Sequence, residues 1–497
     1  MVKVLVLLLL YTSAARAAFR FANYYGDHMV LQRAPAQANI WGYVDECAAV
    51  NITFNSATIS ATVTPDGGTE CRWIATLPAT DAVTPFTITA TSLQGTITLA
   101  DVLFGDVWVC SGQSNMQFTV PQAFNASEEE ALADKYPNIR LFTAALMASD
   151  TPVEELLAVE QPWSVASAKT VGGGNWTYFS ASCWFYGRNI YDVVQYPIGL
   201  VDTDWGGTPV EAWSSPDALA KCGKYTSSRK ADGKAPSPDQ PSVLWNAMIY
   251  PLLNMTIKGA VWYQGEANAG DPSTYNCTFP AMIDDWRGKW KNASQHTSSL
   301  FPFGFVQLAA YGSDNSSSFS PGFPVIRWAQ TADYGFVPNP RLRAVFMAVA
   351  MDLGDPSSPF GSIHPRDKQD VGLRLALAGR AIAYGDSEVY FTGPLATTAT
   401  MSTDMQEVVV EYTSLAGSEV ELRYSYGFEL GCSDATWLDA TATAADSNKV
   451  MVGVPACAAG AMPTALRYCW RSDPCSFKLC PVYSGDLPSP PFQMNLT

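Results

Sequence analysis

The chain has 497 residues, enough at roughly 100–200 residues per domain for two to four domains with a substantial core. Hydrophobic residues make up 47% and charged residues 15%, which excludes a disordered chain and a coiled coil. The formal charge of −16 repels phosphate backbones, so no nucleic-acid partner is expected. Histidine is limited to His28, His296 and His364; a histidine-rich metal site is excluded, and any histidine-dependent catalysis must use one of these three.

Residues 1–17 read as a signal peptide. Lys3 precedes the apolar run 4–11, and Ala15-Arg16-Ala17 supplies the small-residue cleavage pattern. That run is too short to span a bilayer, and no later stretch reaches about 18 apolar residues, so no membrane span is predicted. Eight Asn-x-Ser/Thr sequons follow, at Asn51, Asn125, Asn175, Asn254, Asn276, Asn292, Asn315 and Asn495. With eleven cysteines they point to a disulfide-bonded glycoprotein of the secretory pathway. Five cysteines crowd between Cys432 and Cys480, so the C-terminal part should be cross-linked. No C-x-x-C pair occurs, which argues against a zinc ribbon or a thioredoxin-like site. The odd count leaves at least one free thiol, and Cys110, inside an apolar run, is the expected buried one.

Residues 18–100 carry short alternating runs at 38–42, 50–54, 86–90 and 95–99, rich in Thr, Ile and Val and separated by turns such as Pro65-Asp66-Gly67-Gly68. This predicts an N-terminal β-rich domain. Between 101 and 386 the texture changes to continuous apolar runs at 107–110, 198–201, 257–263 and 344–350, with helical stretches between several of them. Strands of that kind are buried on both faces, and the region reads as an α/β domain with a mainly parallel sheet. Alternation returns at 407–412 and 419–424, giving a C-terminal β-rich domain over 387–497 whose Pro-rich tail, 487–491, should be irregular or extended.

Three constellations lie on the α/β region. In the first, the run Gly105-Asp106-Val107-Trp108-Val109-Cys110 enters Ser111-Gly112-Gln113-Ser114-Asn115-Met116, a strand ending in a polar turn where α/β sheets present functional groups. It is not a G-x-S-x-G elbow, because Met116 stands two residues after Ser114; an ordinary turn with Ser114 capping a helix fits equally. In the second, Val261-Trp262-Tyr263 ends in Gln264-Gly265-Glu266-Ala267-Asn268, whose amides can donate to an oxyanion or simply fix a loop. The third joins Asp352-Leu353-Gly354-Asp355 to Ser362-Ile363-His364-Pro365-Arg366-Asp367-Lys368. Pro365 suits the first position of a helix, and Val371, Leu375, Ala378 and Ile382 recur at helical spacing. His364 then lies at a positive helix end, which favours the neutral imidazole of a general base. His28 belongs to the β-rich domain and His296 follows the Asn292 sequon on an expected surface, leaving His364 as the candidate.

Together Ser-Gly-Gln-Ser-Asn-Met, Trp-Tyr-Gln-Gly-Glu-Ala-Asn and Ile-His-Pro-Arg-Asp-Lys resemble the sialate O-acetylesterase family of the SGNH hydrolase superfamily. The opening Asp27-His28-Met29-Val30-Leu31-Gln32-Arg33 and the ending Pro488-Ser489-Pro490-Pro491-Phe492 extend the resemblance over the mature chain. It implies an SGNH-type three-layer α/β hydrolase core with a parallel sheet, flanked by the two β-rich domains. It also implies a serine esterase, lysosomal or extracellular, that removes O-acetyl groups from sialic acids without metal or organic cofactor. On that pattern Ser114 carries over as nucleophile and His364 as general base. The Ser114 and Gly207 amides, with Asn268 or Gln264, form the oxyanion hole, and Glu266 lies in the same substrate-binding motif. One departure stands out. The superfamily places an Asp three residues before its catalytic His, and here that residue is Gly361. The acid orienting His364 is then Asp352, Asp355 or Glu266, or a backbone carbonyl holds a Ser-His dyad. Asp352 and Asp355 rank first because they follow the 344–350 strand, although both also suit turns. An esterase acting on other acetylated polysaccharides (acetylxylan-type) and an inactive carbohydrate-binding protein are the competing readings.

Overall fold

The computed structural model describes residues 19–66, 70–223, 236–312, 322–413 and 419–497; the signal-peptide reading of 1–17 and the Asn315 sequon lie outside them. The continuous apolar runs become strands of one twisted sheet: β1 (Gly95–Gly112), β2 (Ile139–Ala144), β3 (Val159–Val165), β4 (Ile198–Asp204), β5 (Gly259–Tyr263), β6 (Phe303–Gln307) and β7 (Val345–Val349). Their order is β3-β2-β4-β1-β5-β6-β7. All neighbours are parallel except the edge pair β2–β3. The register aligns Asp204 and Tyr263 with Gly112, so three loops leave the sheet side by side. That is where a parallel sheet builds its site.

Both faces of the sheet are covered, which is why its strands read as unbroken apolar runs. Helices α1 (Ser114–Gln117), α2 (Ala181–Val194), α3 (Tyr275–Ser294), α4 (Gly322–Ala329) and α5 (Lys368–Ala383) follow in the chain. On one face Trp108 meets Tyr186 of α2 edge-on at 5.1 Å. On the other, Trp262 contacts Phe279 and Trp286 of α3 at 6.3 and 6.0 Å. α5 packs against α2 backbone to backbone: a Cβ on Gly372 would lie 2.3 Å from Phe185 Cβ. Cys110 is not free. It faces α2 and is bonded to Cys183 across a Cα–Cα distance of 5.9 Å, while Cys469, buried in the C-terminal domain, is the unpaired cysteine. Within the C-terminal cluster Cys432 pairs with Cys457 and Cys475 with Cys480.

The N-terminal domain is β-rich as its alternation predicts, with Ala38–Asp45 and Glu70–Leu77 paired antiparallel. The expected break at 100/101 falls inside β1: its first half pairs with Phe86–Ser92, its second half with β4 and β5, and Asp101 marks the join with φ 53°. In the C-terminal domain 407–412 forms Glu407–Thr413 as predicted, but only Glu421–Leu422 of the second run is a strand. The Pro-rich tail is ordered into sheet edges: Leu487–Pro488 pairs with Val482–Ser484, and Phe492–Asn495 with Pro463–Tyr468. α5 starts three residues later than Pro365 suggests, because the Asp367 carboxylate accepts from the Asp370 N–H and caps it. Among the described residues no helix is long and apolar enough to cross a membrane.

Candidate active site

β1 ends at Gly112, whose φ of 146° and contact with Tyr263 exclude a side chain: a Cβ there would lie 2.2 Å from the Tyr263 carbonyl oxygen. The chain turns at once, and Ser114 becomes the first residue of α1, half-buried above the strand ends. From the segment following β7, His364 reaches across, and its Nε2 lies 2.8 Å from Ser114 Oγ. Its Nδ1 lies 2.7 Å from the Phe360 carbonyl oxygen. A carbonyl only accepts, so the Nδ1–H donates to Phe360 and Nε2 is left to accept the serine proton.

Neither aspartate reaches the histidine. Asp352 is fully buried and bound bidentately by Arg374 at 2.6 and 2.9 Å, with Tyr483 Oη donating at 2.8 Å. Asp355 accepts from Arg366 Nε at 2.6 Å and Nη2 at 3.1 Å and from Ser357 Oγ at 3.0 Å. Burial pushes the Asp355 carboxyl up, but Arg366 and Ser357 outweigh it and hold it below the usual value. Neither carboxylate therefore contacts the imidazole: each is claimed by a nearer guanidinium, and His364 Nδ1 faces the Phe360 carbonyl instead. Glu266 is also turned elsewhere: its Oε1 accepts from Asn115 Nδ2 at 2.6 Å.

The residues expected around an oxyanion divide in the same way. Gln264 commits its amide inward, donating to Thr208 O and Asn268 Oδ1 and accepting from Tyr275 Oη, so both its amide hydrogens are held within the loop. Asn268 accepts from Val210 N through Oδ1 and gives one amide hydrogen to Glu211 Oε2 at 2.8 Å. Gly207 is exposed with φ 76° beside Gly206, whose N–H is taken by Gln117 Oε1 at 2.8 Å. Below that loop Asp202 and Asp204 share one face of β4, both buried. Burial and their mutual repulsion raise Asp202, and burial raises Asp204 to about 7.

His364 sits among aromatic rings. Trp176 meets it at 5.1 Å and also contacts Phe118 and Phe360. That burial lowers its basicity below the ordinary histidine value; the Phe360 carbonyl opposes the shift and the Lys368 charge adds to it. The lowering comes from desolvation rather than from a helix end, since α5 begins only at Lys368. His28 pairs with Asp101 in the N-terminal domain, and His296 lies just past the end of α3. Trp176, Phe360, Asn115 and Lys368 were not singled out by the sequence. Asn115 and Lys368 lie inside the Ser-Gly-Gln-Ser-Asn-Met and Ile-His-Pro-Arg-Asp-Lys motifs, whereas a backbone carbonyl such as that of Phe360 leaves no mark in sequence. Among the described residues no group of three or more His, Cys, Asp or Glu is arranged to hold a metal ion.

A parallel sheet that presents a serine at one strand end, bonded to a histidine from the segment after another, is the layout of an SGNH-type α/β hydrolase. Residues 104–321 match the family described as carbohydrate esterase, sialic acid-specific acetylesterase, and residues 397–496 match the sialate O-acetylesterase C-terminal domain. The sialate O-acetylesterase of Homo sapiens is 43% identical over 99% of this chain and 96% of its own length. That of Mus musculus is 42% identical over 98% and 97%. A crystal structure of a carbohydrate acetylesterase from Xanthomonas citri superposes with a TM-score of 0.78 at 30% identity, covering 96% of this chain and 99% of that one. The chain belongs to the sialate O-acetylesterase family.

Proposed function

We propose that the chain is a serine esterase that removes O-acetyl groups from sialic acids on glycans, with Ser114 as nucleophile and His364 as general base. The observation that carries this reading is the 2.8 Å contact between Ser114 Oγ and His364 Nε2 in a chain whose family acts on such esters. His364 takes the hydroxyl proton as Ser114 attacks the acetyl carbonyl. The Ser114 amide at the start of α1, the Gly207 amide and the second amide hydrogen of Asn268 receive the negative charge of the tetrahedral intermediate. The intermediate collapses, His364 returns the proton to the sugar oxygen, and the alcohol leaves. Water, deprotonated by His364, then adds to the acetyl-enzyme; acetate departs and the proton returns to Ser114. Desolvation of His364 lowers its basicity and so favours the neutral imidazole that a general base requires. Five disulfides and exposed sequons at Asn51, Asn125, Asn175, Asn276, Asn292 and Asn495 support passage through an oxidising, glycosylating compartment. Asn254 is half-buried.

The test is acetate release from an O-acetylated sialic acid by the purified protein, with Ser114→Ala and Ser111→Ala side by side. Ser114→Ala should lose nearly all activity and Ser111→Ala, buried in the strand before Gly112, should keep most of it. Activity confined to acetylated xylan would move the assignment to the polysaccharide esterases, and intact activity in Ser114→Ala would reject the mechanism.

A further inference from the structure

A charged side chain sits in the floor of the site with no part in the chemistry so far. The Lys368 ammonium is fully buried, donating to Asn115 Oδ1 at 2.7 Å and to the Pro365 carbonyl at 2.8 Å. The rings of Phe118 and Tyr263 lie 4.7 and 5.2 Å from its nitrogen. On the other side of the same amide, Asn115 Nδ2 donates to Glu266 Oε1 at 2.6 Å and to the Ile363 carbonyl at 2.8 Å. A cation at its oxygen and an anion at its nitrogen leave the Asn115 side chain one orientation, since the flipped amide would put donor on donor and acceptor on acceptor. Asn115 adjoins Ser114 in the chain, and Ile363 and Pro365 flank His364 on either side.

We propose that Lys368 is a positioning residue that, acting through Asn115 and the Pro365 carbonyl, locks the His364 segment onto the Ser114 turn and thereby supplies the fixity that an orienting acid gives elsewhere. The inference rests on the Ser114–His364 reading above. It accounts for a dyad whose Nδ1 partner is a neutral carbonyl four residues away in the same turn: that carbonyl fixes the ring relative to its own loop, and something else must fix the loop relative to the serine. Holding a lysine there is costly. Burial pulls its amine down to about 7, while Glu266, Asp367 and Asp355 pull it back up. Its charge also disfavours protonation of His364.

The experiment is steady-state kinetics on Lys368→Met, on Glu266→Gln, on the pair combined and on Ser114→Ala, with folding followed by near-ultraviolet circular dichroism. A reacting geometry loosened by about 1 Å costs on the order of 10²-fold. Lys368→Met is therefore expected to lower kcat by about 10- to 100-fold per folded molecule with KM changed less than about threefold. Loss of its charge should also move the acid limb of kcat/KM to higher pH, which a purely structural defect would not do. The double variant, with no orphaned carboxylate, should be no slower than Lys368→Met alone, because both substitutions act on one amide. Unchanged kcat in folded Lys368→Met, or an acid limb that stays at its wild-type position, overturns the proposal. If Lys368→Met does not accumulate as folded protein, Asn115→Ala carries the same decision: loss of kcat with KM kept supports the bracket, and full kcat refutes it. Ser114→Ala separates the two layers, for activity surviving in it would sink the dyad itself and not merely the role of Lys368.

Discussion

Replacing Asp355 by Asn tests the carbonyl-held dyad directly. In a Ser-His-Asp triad, Asp→Asn leaves the geometry intact but lowers kcat by about 10⁴; at about 1.36 kcal/mol per factor of ten, that is about 5.4 kcal/mol of transition-state stabilisation. Here the Asp355 carboxylate faces Arg366 and Ser357, and His364 Nδ1 faces Phe360 O. Asp355→Asn should therefore keep kcat within about threefold, since nothing in contact with the imidazole changes. Its Arg366 partner keeps 27% of its side-chain surface accessible while Asp355 keeps only 6%, so the lost ion pair should cost more than the roughly 1 kcal/mol of an exposed pair and less than the about 3–5 kcal/mol of a fully buried one. Asp352→Asn makes the complementary case. Its pair with Arg374 is buried, with side-chain exposures of 0% and 5%, and breaking such a pair costs about 3–5 kcal/mol. The variant should be markedly less stable to urea yet retain near wild-type kcat per folded molecule below its transition. The assay is acetate release at saturating substrate, normalised to folded protein by circular dichroism. A drop of about 10³ or more in folded Asp355→Asn or Asp352→Asn would show that a carboxylate reaches His364 in the working enzyme and that the carbonyl-held dyad is wrong.

The acid limb of kcat/KM should lie below the ordinary histidine value of about 6.5, because burial lowers His364; His364→Ala should abolish it together with most of the rate, while His28→Ala and His296→Ala leave both in place. Asp202 and Asp204 are raised in the folded chain, Asp204 to about 7, so the native state binds more protons than the unfolded one between about pH 4 and 7. Their contribution to stability is thus present at low pH and lost as pH rises through 7. Thermal melts of wild type and Asp202→Asn should show a difference in melting temperature that changes steadily between pH 5 and 7.5; a constant difference would mean that the pair does not titrate. Digestion with an N-glycosidase should lower the mass of protein from a eukaryotic secretory host, and an unchanged mass there would show the exposed sequons to be unused.

What the sequence determined by itself is what local periodicity and chain chemistry control. Alternation at 50–54, 86–90 and 407–412 specified half-buried strands, and unbroken runs such as Val107-Trp108-Val109-Cys110 specified strands covered on both faces, because burial is imposed on each side chain by its own position in the pleat. The run at 38–42 is the exception, since Ala38–Asp45 is buried at every position but Asp45. The polar turn after Gly112 was legible because it is a local feature of a strand end, and His364 because only three histidines exist and few residue types can perform proton transfer. Partner choice among polar groups was not legible. Asp352 and Asp355 lie close to His364 in sequence and looked like its acid, yet Arg374 and Arg366 take them, since a carboxylate in the folded chain goes to the charge that three-dimensional packing brings nearest. Cys110 read as a buried free thiol until α2 folded over β1 and brought Cys183 to it. The ligand of His364 Nδ1 is a main-chain carbonyl that every residue possesses, so only the turn from Phe360 to His364 could select it. Lys368 read as one charge in a run of charges, and only its burial beneath Asn115 gives it a place beside the dyad. Hydrophobic pattern is written residue by residue, whereas the pairing of charges and hydrogen bonds is settled by distances that exist only once the layers have packed.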